Sequence, residues 1–243
     1  MLAFLHTAGS HVANFARLVH EIAPELDCRH AVDEELLAVA TAAGGVDAAL
    51  AARIADAIEA LRAAGARVVV CTCSTIGDAA EAASRAAAPV LRIDRPMAEE
   101  AVRREPGGAG LPPRRIAVVA ALDTALAATV QLLRAVARET GREVSIRPVL
   151  CAAAWPLFAS GDLEGYWSAT AAAVRAAAPA TDVVVLGQVS MAPVVGQLGD
   201  LATPVLAAAR LGVQAAVDRC RDLSRAAAPP GRGAVRPGDR APR

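Results

Sequence analysis

The stretches VVVCTC, ending at Cys73, and VVVLGQ, ending at Gln188, lie 115 positions apart, and so do the prolines that open APVL (Pro89) and TPVL (Pro204). The same shift sets Phe15 and Leu18 on Val130 and Leu133, and the N-terminal run LAFLHT on AVVAAL. A register shared by several elements marks an internal repeat, which restricts the chain to two copies of one folding unit. Within each copy, short apolar runs alternate with long helical patterns, the pattern of a parallel sheet covered by helices. The expected fold class is α/β, with two pseudo-symmetric parallel-sheet halves and an active site in the cleft between them.

The runs expected as strands cover residues 2–7, 26–32, 66–73 and 88–94 in the first half, and 116–121, 143–151, 182–188 and 203–209 in the second. Helices follow most of them. Asp33 is placed to cap one, a second over 46–64 stops at Gly65, a third starts near Gly77, and others run to Arg138 and over 162–177. The first half is expected over 1–94 plus about 208–225, and the second over 95–207. The segment RREPGGAGLPPRR (103–115) reads as an exposed loop or hinge, and the Pro, Gly and Arg bias of 226–243 as a disordered tail. RIDRPMAEEA reads as a solvated helix start with Pro96 in its first turn.

Composition narrows the chemistry. The 25 basic side chains match 25 acidic ones, so no global field draws the protein to nucleic acid or an anionic membrane. All the basic residues are arginine. Without lysine there is no Schiff base to pyridoxal phosphate, no P-loop ammonium and no lysine base. No stretch reaches the roughly 18 apolar residues of a transmembrane helix, and the N-terminus lacks a basic leader, so a cytoplasmic location is expected. The five cysteines then read as reduced thiols.

Ligands of parallel α/β sheets bind at the carboxyl ends of strands, where Cys73 and Gln188 stand, one per half. Before the N-terminus of a helix near Gly77, the Cys73 thiolate is expected to be stabilised and its pKa lowered. Cys151 closes the strand over 143–151, and reads either as a second acid/base or as a small buried hydrophobe. His6 and Asp123 are further acid/base options, whereas His11 and His20 read as helix surface. Trp155 and Trp167 either cap the cleft or pack the second half. Cys71 reads as core, and the Cys71–Cys73 spacing has too few ligands nearby for a metal, so no metal is expected.

On VVVCTCST, DVVVLGQVSMA, FLHTA and the duplicated architecture, residues 1 to about 220 resemble the aspartate/glutamate racemase superfamily, with its hydantoin racemase, maleate isomerase and arylmalonate decarboxylase branches. The resemblance implies an enzyme without a cofactor, acting on a small carboxylic acid and commonly dimeric. In the racemases each half supplies a cysteine: one thiolate removes the proton from Cα and the opposed thiol returns one to the other face. Backbone N–H groups and small hydroxyls hold the substrate carboxylate. Cys73, Ser74 and Thr75 match the first motif, Thr124 falls on a substrate-contacting threonine, and Thr7 and Ser10 match more loosely. At the second cysteine stands Gln188, followed by Val189 and Ser190. An amide does not exchange protons with carbon at neutral pH, so Gln188 is expected to bind substrate. The expected function is proton transfer at the carbon next to a carboxylate, as in a racemase or isomerase, with Cys73 as acid/base or nucleophile. Decarboxylation of a malonate-type acid, or silent binding of a small carboxylate, is the alternative.

Overall fold

A computed structural model describes residues 1–103 and 113–227. Most of the expected loop at 103–115, and all of the tail beyond Ala227, lie outside the described residues. The chain runs β1 (Leu2–His6), α1 (Val12–Ile22), β2 (Cys28–Val32), α2 (Glu34–Ala43), α3 (Ala48–Ala63), β3 (Val68–Cys71), α4 (Gly77–Ala82) and β4 (Val90–Arg92). It continues through α5 (Arg95–Val102), β5 (Arg114–Ala120), α6 (Asp123–Glu139), β6 (Val144–Leu150), α7 (Trp155–Ser160), α8 (Leu163–Ala177), β7 (Val183–Leu186) and β8 (Val205–Leu206), before the long α9 (Ala208–Ala227). Of these, α5 packs against α6 and β7. Two four-stranded sheets result, ordered β2-β1-β3-β4 and β6-β5-β7-β8, with every strand pair parallel. The two orders are the same topology, so the repeat in the sequence is a repeat in the fold.

The register of that repeat corrects one expectation. β3 and β7 correspond at 115 positions, as do β4 and β8, because Val69 pairs with Val90 and Val184 with Val205. β1 and β5 correspond at 114, since Leu2 pairs with Val68 and Ile116 with Val183. The face of the sheet explains the slip. Leu2 and Phe4 point into a core shared with Ile116 and Val118, whereas Ala3 and Leu5 face the outer layer of the first half and Ala117 and Val119 that of the second. A shift of 115 would turn every side chain of the strand to the opposite face, exchanging the shared core for the outer layer.

The shared core joins the halves. The inner faces of both sheets pack with α1, α5, α6 and α9, and fully buried Phe4, Phe15, Val70, Leu133, Val185 and Val213 lie in one cluster. α9 packs against α1 and α5 and touches β1 and β3. The outer layers are separate, with α2, α3 and α4 on the first sheet and α8 on the second. Among the described residues no helix is long and apolar enough to cross a membrane.

Local chemistry accounts for the boundaries. Asp33 caps α2, its carboxylate accepting the N–H groups of Glu35 and Leu36. Beyond α3, Gly65 takes a φ of +94°, a left-handed conformation that costs glycine little. The expected strand over 203–209 shrinks to Val205–Leu206 because the alanines from Ala208 onward join α9. RIDRP is not a solvated helix start, although Pro96 does sit in the first turn of α5. Arg92 and Asp94 are both buried, the guanidinium giving parallel bonds of 2.9 and 3.0 Å to the carboxylate. Arg92 also pairs with Asp78 of α4, and Gly77 leaves it room, because a Cβ there would come within 2.7 Å of Nε.

Candidate active site

β3 ends at Cys71, and the next residues turn into the space between the halves. Thr72 is locked first. Its N–H donates to the Leu5 carbonyl at 3.0 Å, as that of Gly187 donates to Val119 at 2.8 Å in the second half. Beyond these bonds Cys73 and Gln188 enter one pocket, lined by Thr7, Ala8 and His11 from the N-terminal turn and by Thr72, Cys73, Ser74 and Thr75 after β3. The second half contributes Leu122, Ala125, Trp155, Phe158, Gln188, Val189 and Ser190, and Leu37 of α2 completes the wall. The structure thus gathers Thr7, Cys73, Ser74, Thr75, Gln188, Val189 and Ser190 from segments far apart in sequence.

The remaining sequence candidates lie elsewhere. Thr124 stands behind the pocket in the first turn of α6, its hydroxyl 3.4 Å from that of Thr75 in a contact that spans the halves. Ser10 is exposed on the short 3₁₀ turn Gly9–His11 and is absent from the lining. Cys151 is absent too. Its thiol donates to the Ala120 carbonyl at 3.3 Å, and the residue packs with the outer layer of the second half. That surrounding fits the small-hydrophobe reading of Cys151. Cys71 is buried in the outer core of the first half.

The sequence does not single out His11 or Phe158 as site residues, and it leaves Trp155 between capping and packing. His11 reads as helix surface by periodicity, yet both its ring nitrogens are buried. The signal available was its distance of a few residues from FLHTA, which carries Thr7 to the same strand end. Trp155 and Phe158 stack on one another with centroids 5.3 Å apart and form an aromatic side of the pocket.

Polar side chains fix the walls. Gln188 Oε1 accepts the Ala121 N–H at 2.6 Å. Ser190 is pinned from α8, its hydroxyl 2.8 Å from the Tyr166 hydroxyl and its carbonyl accepting the Trp167 indole N–H at 3.1 Å. Behind Thr72 lies a chain of hydrogen bonds: Thr72 Oγ1 to His6 Nδ1 at 2.9 Å, His6 Nε2 to His30 Nδ1 at 2.9 Å, and His30 Nε2 to Cys28 Sγ at 3.5 Å. Because the Thr72 hydroxyl also reaches the Leu5 carbonyl at 3.2 Å, it donates there and accepts from His6. The chain then has one consistent direction, with each histidine neutral and Cys28 donating at the outer end. Burial and the nearby His30 and His11 push His6 down to about 3, in keeping with that neutral form.

The electrostatics of Cys73 reverse the sequence expectation. Enclosure of the thiol pushes its pKa up, and the opposing bonds from the Thr7 hydroxyl, the N–H groups of Ile76 and Thr75, and the Thr75 hydroxyl do not overcome it. α4 is only six residues long and has no side-chain cap, so little helix dipole reaches the sulfur. Cys73 therefore rests as a thiol, a proton donor with nearby donors ready to receive a thiolate. Among the described residues the lining contains no arginine, aspartate or glutamate. An anion would be met by hydroxyls, amide N–H groups and backbone N–H groups. Among the described residues no cluster of three or more His, Cys, Asp or Glu side chains is placed to hold a metal.

No protein-family model matches the sequence, and no curated protein matches it by sequence. Solved structures do match by fold. The aspartate racemase of Picrophilus torridus superposes with a TM-score of 0.63 at 11% identity, over 90% of this chain and 94% of that one. A glutamate racemase from Francisella tularensis in complex with D-glutamate superposes at 0.62 and 13% identity, over 92% of this chain and 81% of that one. Allantoin racemase from Klebsiella pneumoniae superposes at 0.54 and 17% identity, over 93% and 87%. With its two parallel sheets of equal topology sharing a pocket at their strand ends, the chain has the fold of the aspartate, glutamate and allantoin racemases.

Proposed function

We propose that the protein is a racemase-type enzyme of the aspartate/glutamate racemase superfamily that transfers a proton at the carbon next to a carboxylate. The observation that carries this reading is the convergence of the Cys73-Ser74-Thr75 turn and the Gln188-Val189-Ser190 turn on one pocket, at equivalent strand ends of the two halves. Cys73 delivers or removes the proton. The hydroxyls of Thr7, Ser74, Thr75 and Ser190 and the amide of Gln188 hold the carboxylate, and they stabilise the charge that moves onto it as the Cα–H bond breaks. Thr124 acts behind Thr75, as a support for its hydroxyl. No cofactor takes part in this chemistry, and the substrate is a small acid able to reach between the two turns.

Pocket chemistry also bears on which acid. Ionic side chains are absent from the lining, and Leu37, Leu122, Trp155, Phe158 and Val189 supply apolar wall. This environment favours an acid with one charge and an apolar substituent over a doubly charged one, because a second charge would lose water without gaining a partner. A malonate-type acid that loses one carboxylate in the pocket and takes a single proton from Cys73 is the second reading, favoured by the presence of one thiol in the lining.

The two readings separate in one assay. Single enantiomers of aspartate, glutamate and 2-aryl-substituted acids are incubated with the protein and followed by circular dichroism, while aryl- and alkylmalonates are followed for carbon dioxide release. Loss of ellipticity without gas supports the racemase. Gas release with formation of one enantiomer supports the lyase, and neither reaction with any acid contradicts both.

A further inference from the structure

We infer that His11 is the second proton-exchanging residue of the pocket, taking the role that the second-half thiol would have if Gln188 were a cysteine. The inference rests on the proposed proton transfer at Cα. Two-sided exchange needs two groups that trade protons near neutral pH, and the lining contains two such side chains, Cys73 and His11. Every other lining residue is a hydroxyl, an amide or an apolar side chain.

The position of His11 sets it apart from its neighbours. His6, with its ring centroid 6.3 Å away, spends both nitrogens on Thr72 and His30 and is not part of the lining. His11 has both ring nitrogens buried and, among the described residues, without a hydrogen-bond partner. A buried donor and acceptor left unpaired costs about 1–3 kcal/mol, which a purely structural residue would recover by bonding to a neighbour. The cost makes sense where the ring must stay free to meet a substrate. The ring is held from behind by Phe15, with centroids 6.5 Å apart, and the 3₁₀ turn that carries it is fixed by the Gly9 N–H bond to Glu34 at 2.9 Å.

The resting protonation states complement each other. Burial lowers the pKa of His11 and raises that of Cys73, so the imidazole is neutral and the thiol is protonated. Environments that push two pKa values to opposite sides of neutrality divide the base from the acid. In the forward direction the lone pair of a His11 nitrogen takes the Cα proton. The C–H electron pair moves into the carboxylate system as an enolate, and the Cys73 S–H bond gives its proton to Cα from the other side. Imidazolium and thiolate remain, and they run the reverse reaction or return to the resting pair through solvent. The titratable groups set around His11 are His6 on β1, Cys73 in the same lining and Glu34 of α2, which is bonded to Gly9 of the same turn; α6 and α7 contribute none to the lining.

The test uses the full chain and its His11→Ala and His11→Gln variants, with both enantiomers of any acid that the wild type deuterates at Cα in a Cys73-dependent manner. Circular dichroism and thermal melting first establish which variant is folded. The expected result is a loss of about 100-fold or more in kcat/KM, with KM little changed and the acid limb of the pH profile abolished. Added imidazole should restore turnover to His11→Ala, with an acid limb at the pKa of the added base. A folded variant that keeps the wild-type rate and acid limb overturns the inference and leaves the proton-transfer reading standing. If the wild type exchanges no Cα proton with any acid, the proton-transfer reading fails and the role of His11 fails with it.

Discussion

The side-chain oxygen of Gln188 accepts the backbone N–H of Ala121 at 2.6 Å, tying the end of β7 to the end of β5 inside the pocket. A backbone N–H only donates, so the bonded atom is the oxygen, and the two amide N–H groups are left as donors. The second half thus offers the substrate neutral donors where a thiol would offer a proton. Replacing Gln188 with alanine should leave the Ala121 N–H unpaired and lower stability by about 1–3 kcal/mol, read as a fall in the urea midpoint. Binding of a carboxylate should weaken in the same variant, and an unchanged midpoint would contradict the assigned bond.

Cys73 should behave as a thiol of raised pKa. Enclosure dominates its environment, so alkylation by iodoacetamide should be slow at neutral pH and should still climb above about pH 8.5, where an ordinary thiol begins to level off. Peptide mapping of the labelled protein measures this residue by residue. A labelling rate that is already level at pH 7 would show that the donors from Thr7, Thr75 and Ile76 outweigh burial after all.

Stability should fall as the solution is acidified, and His6 should be a main cause. Its folded pKa is about 3 against an ordinary value of 6.5, so between these values the unfolded chain binds a proton that the folded chain refuses. Linkage then makes unfolding easier as pH falls through this window, and the stability from a neutral His6 is fully present only above about 6.5. His11 and His30, also held below their ordinary values by burial, act in the same direction. Urea denaturation between pH 7 and pH 4 should show a steep decline that a His6→Gln variant makes shallower. Equal slopes in the two proteins would contradict the assignment.

Arg92 and Asp94 provide a contrast between a buried and an exposed partner. Asp94 is 1% exposed and Asp78 is 63% exposed, and both pair with the fully buried guanidinium of Arg92. Truncating Asp94 to alanine strands a buried charge and should cost about 3–5 kcal/mol. Truncating Asp78 should cost no more than about 1 kcal/mol, because water already screens that pair. Chemical denaturation of the two variants checks the ordering.

Some of this was legible in the sequence and some was not, for identifiable reasons. The repeat could be read because VVVC and VVVL are fully buried strands whose pattern survives in any context, and Pro89 and Pro204 fix a common register beside them. The first strand slipped by one position because IAVVAAL is apolar at every residue, so either register fits its composition and only the facing layer decides. The two turns of the pocket followed from strand ends. His11 did not, since its ring packs beside Phe15 and His6 in a pocket shared with the second half, which helical periodicity does not contain. The buried Arg92–Asp94 pair was hidden in the same way, because its second carboxylate and the space for it come from Asp78 and Gly77 on α4. For Cys73, the strand-to-helix handover was visible, but the enclosure that reverses its pKa comes from packing on the first half's outer core, which the local pattern does not contain.

In the proposed reaction Cys73 exchanges a proton with the carbon next to a carboxylate. The most direct measurement is deuterium entry at Cα in D2O, followed by proton NMR on single enantiomers of the acids named above, with wild-type protein beside a folded Cys73→Ala variant. Exchange at Cα of at least one acid is expected with the wild type, and with Cys73→Ala it should fall to the uncatalysed rate for the enantiomer whose proton Cys73 removes. Equal exchange by the two proteins, or none by the wild type with every acid, would contradict that role for Cys73.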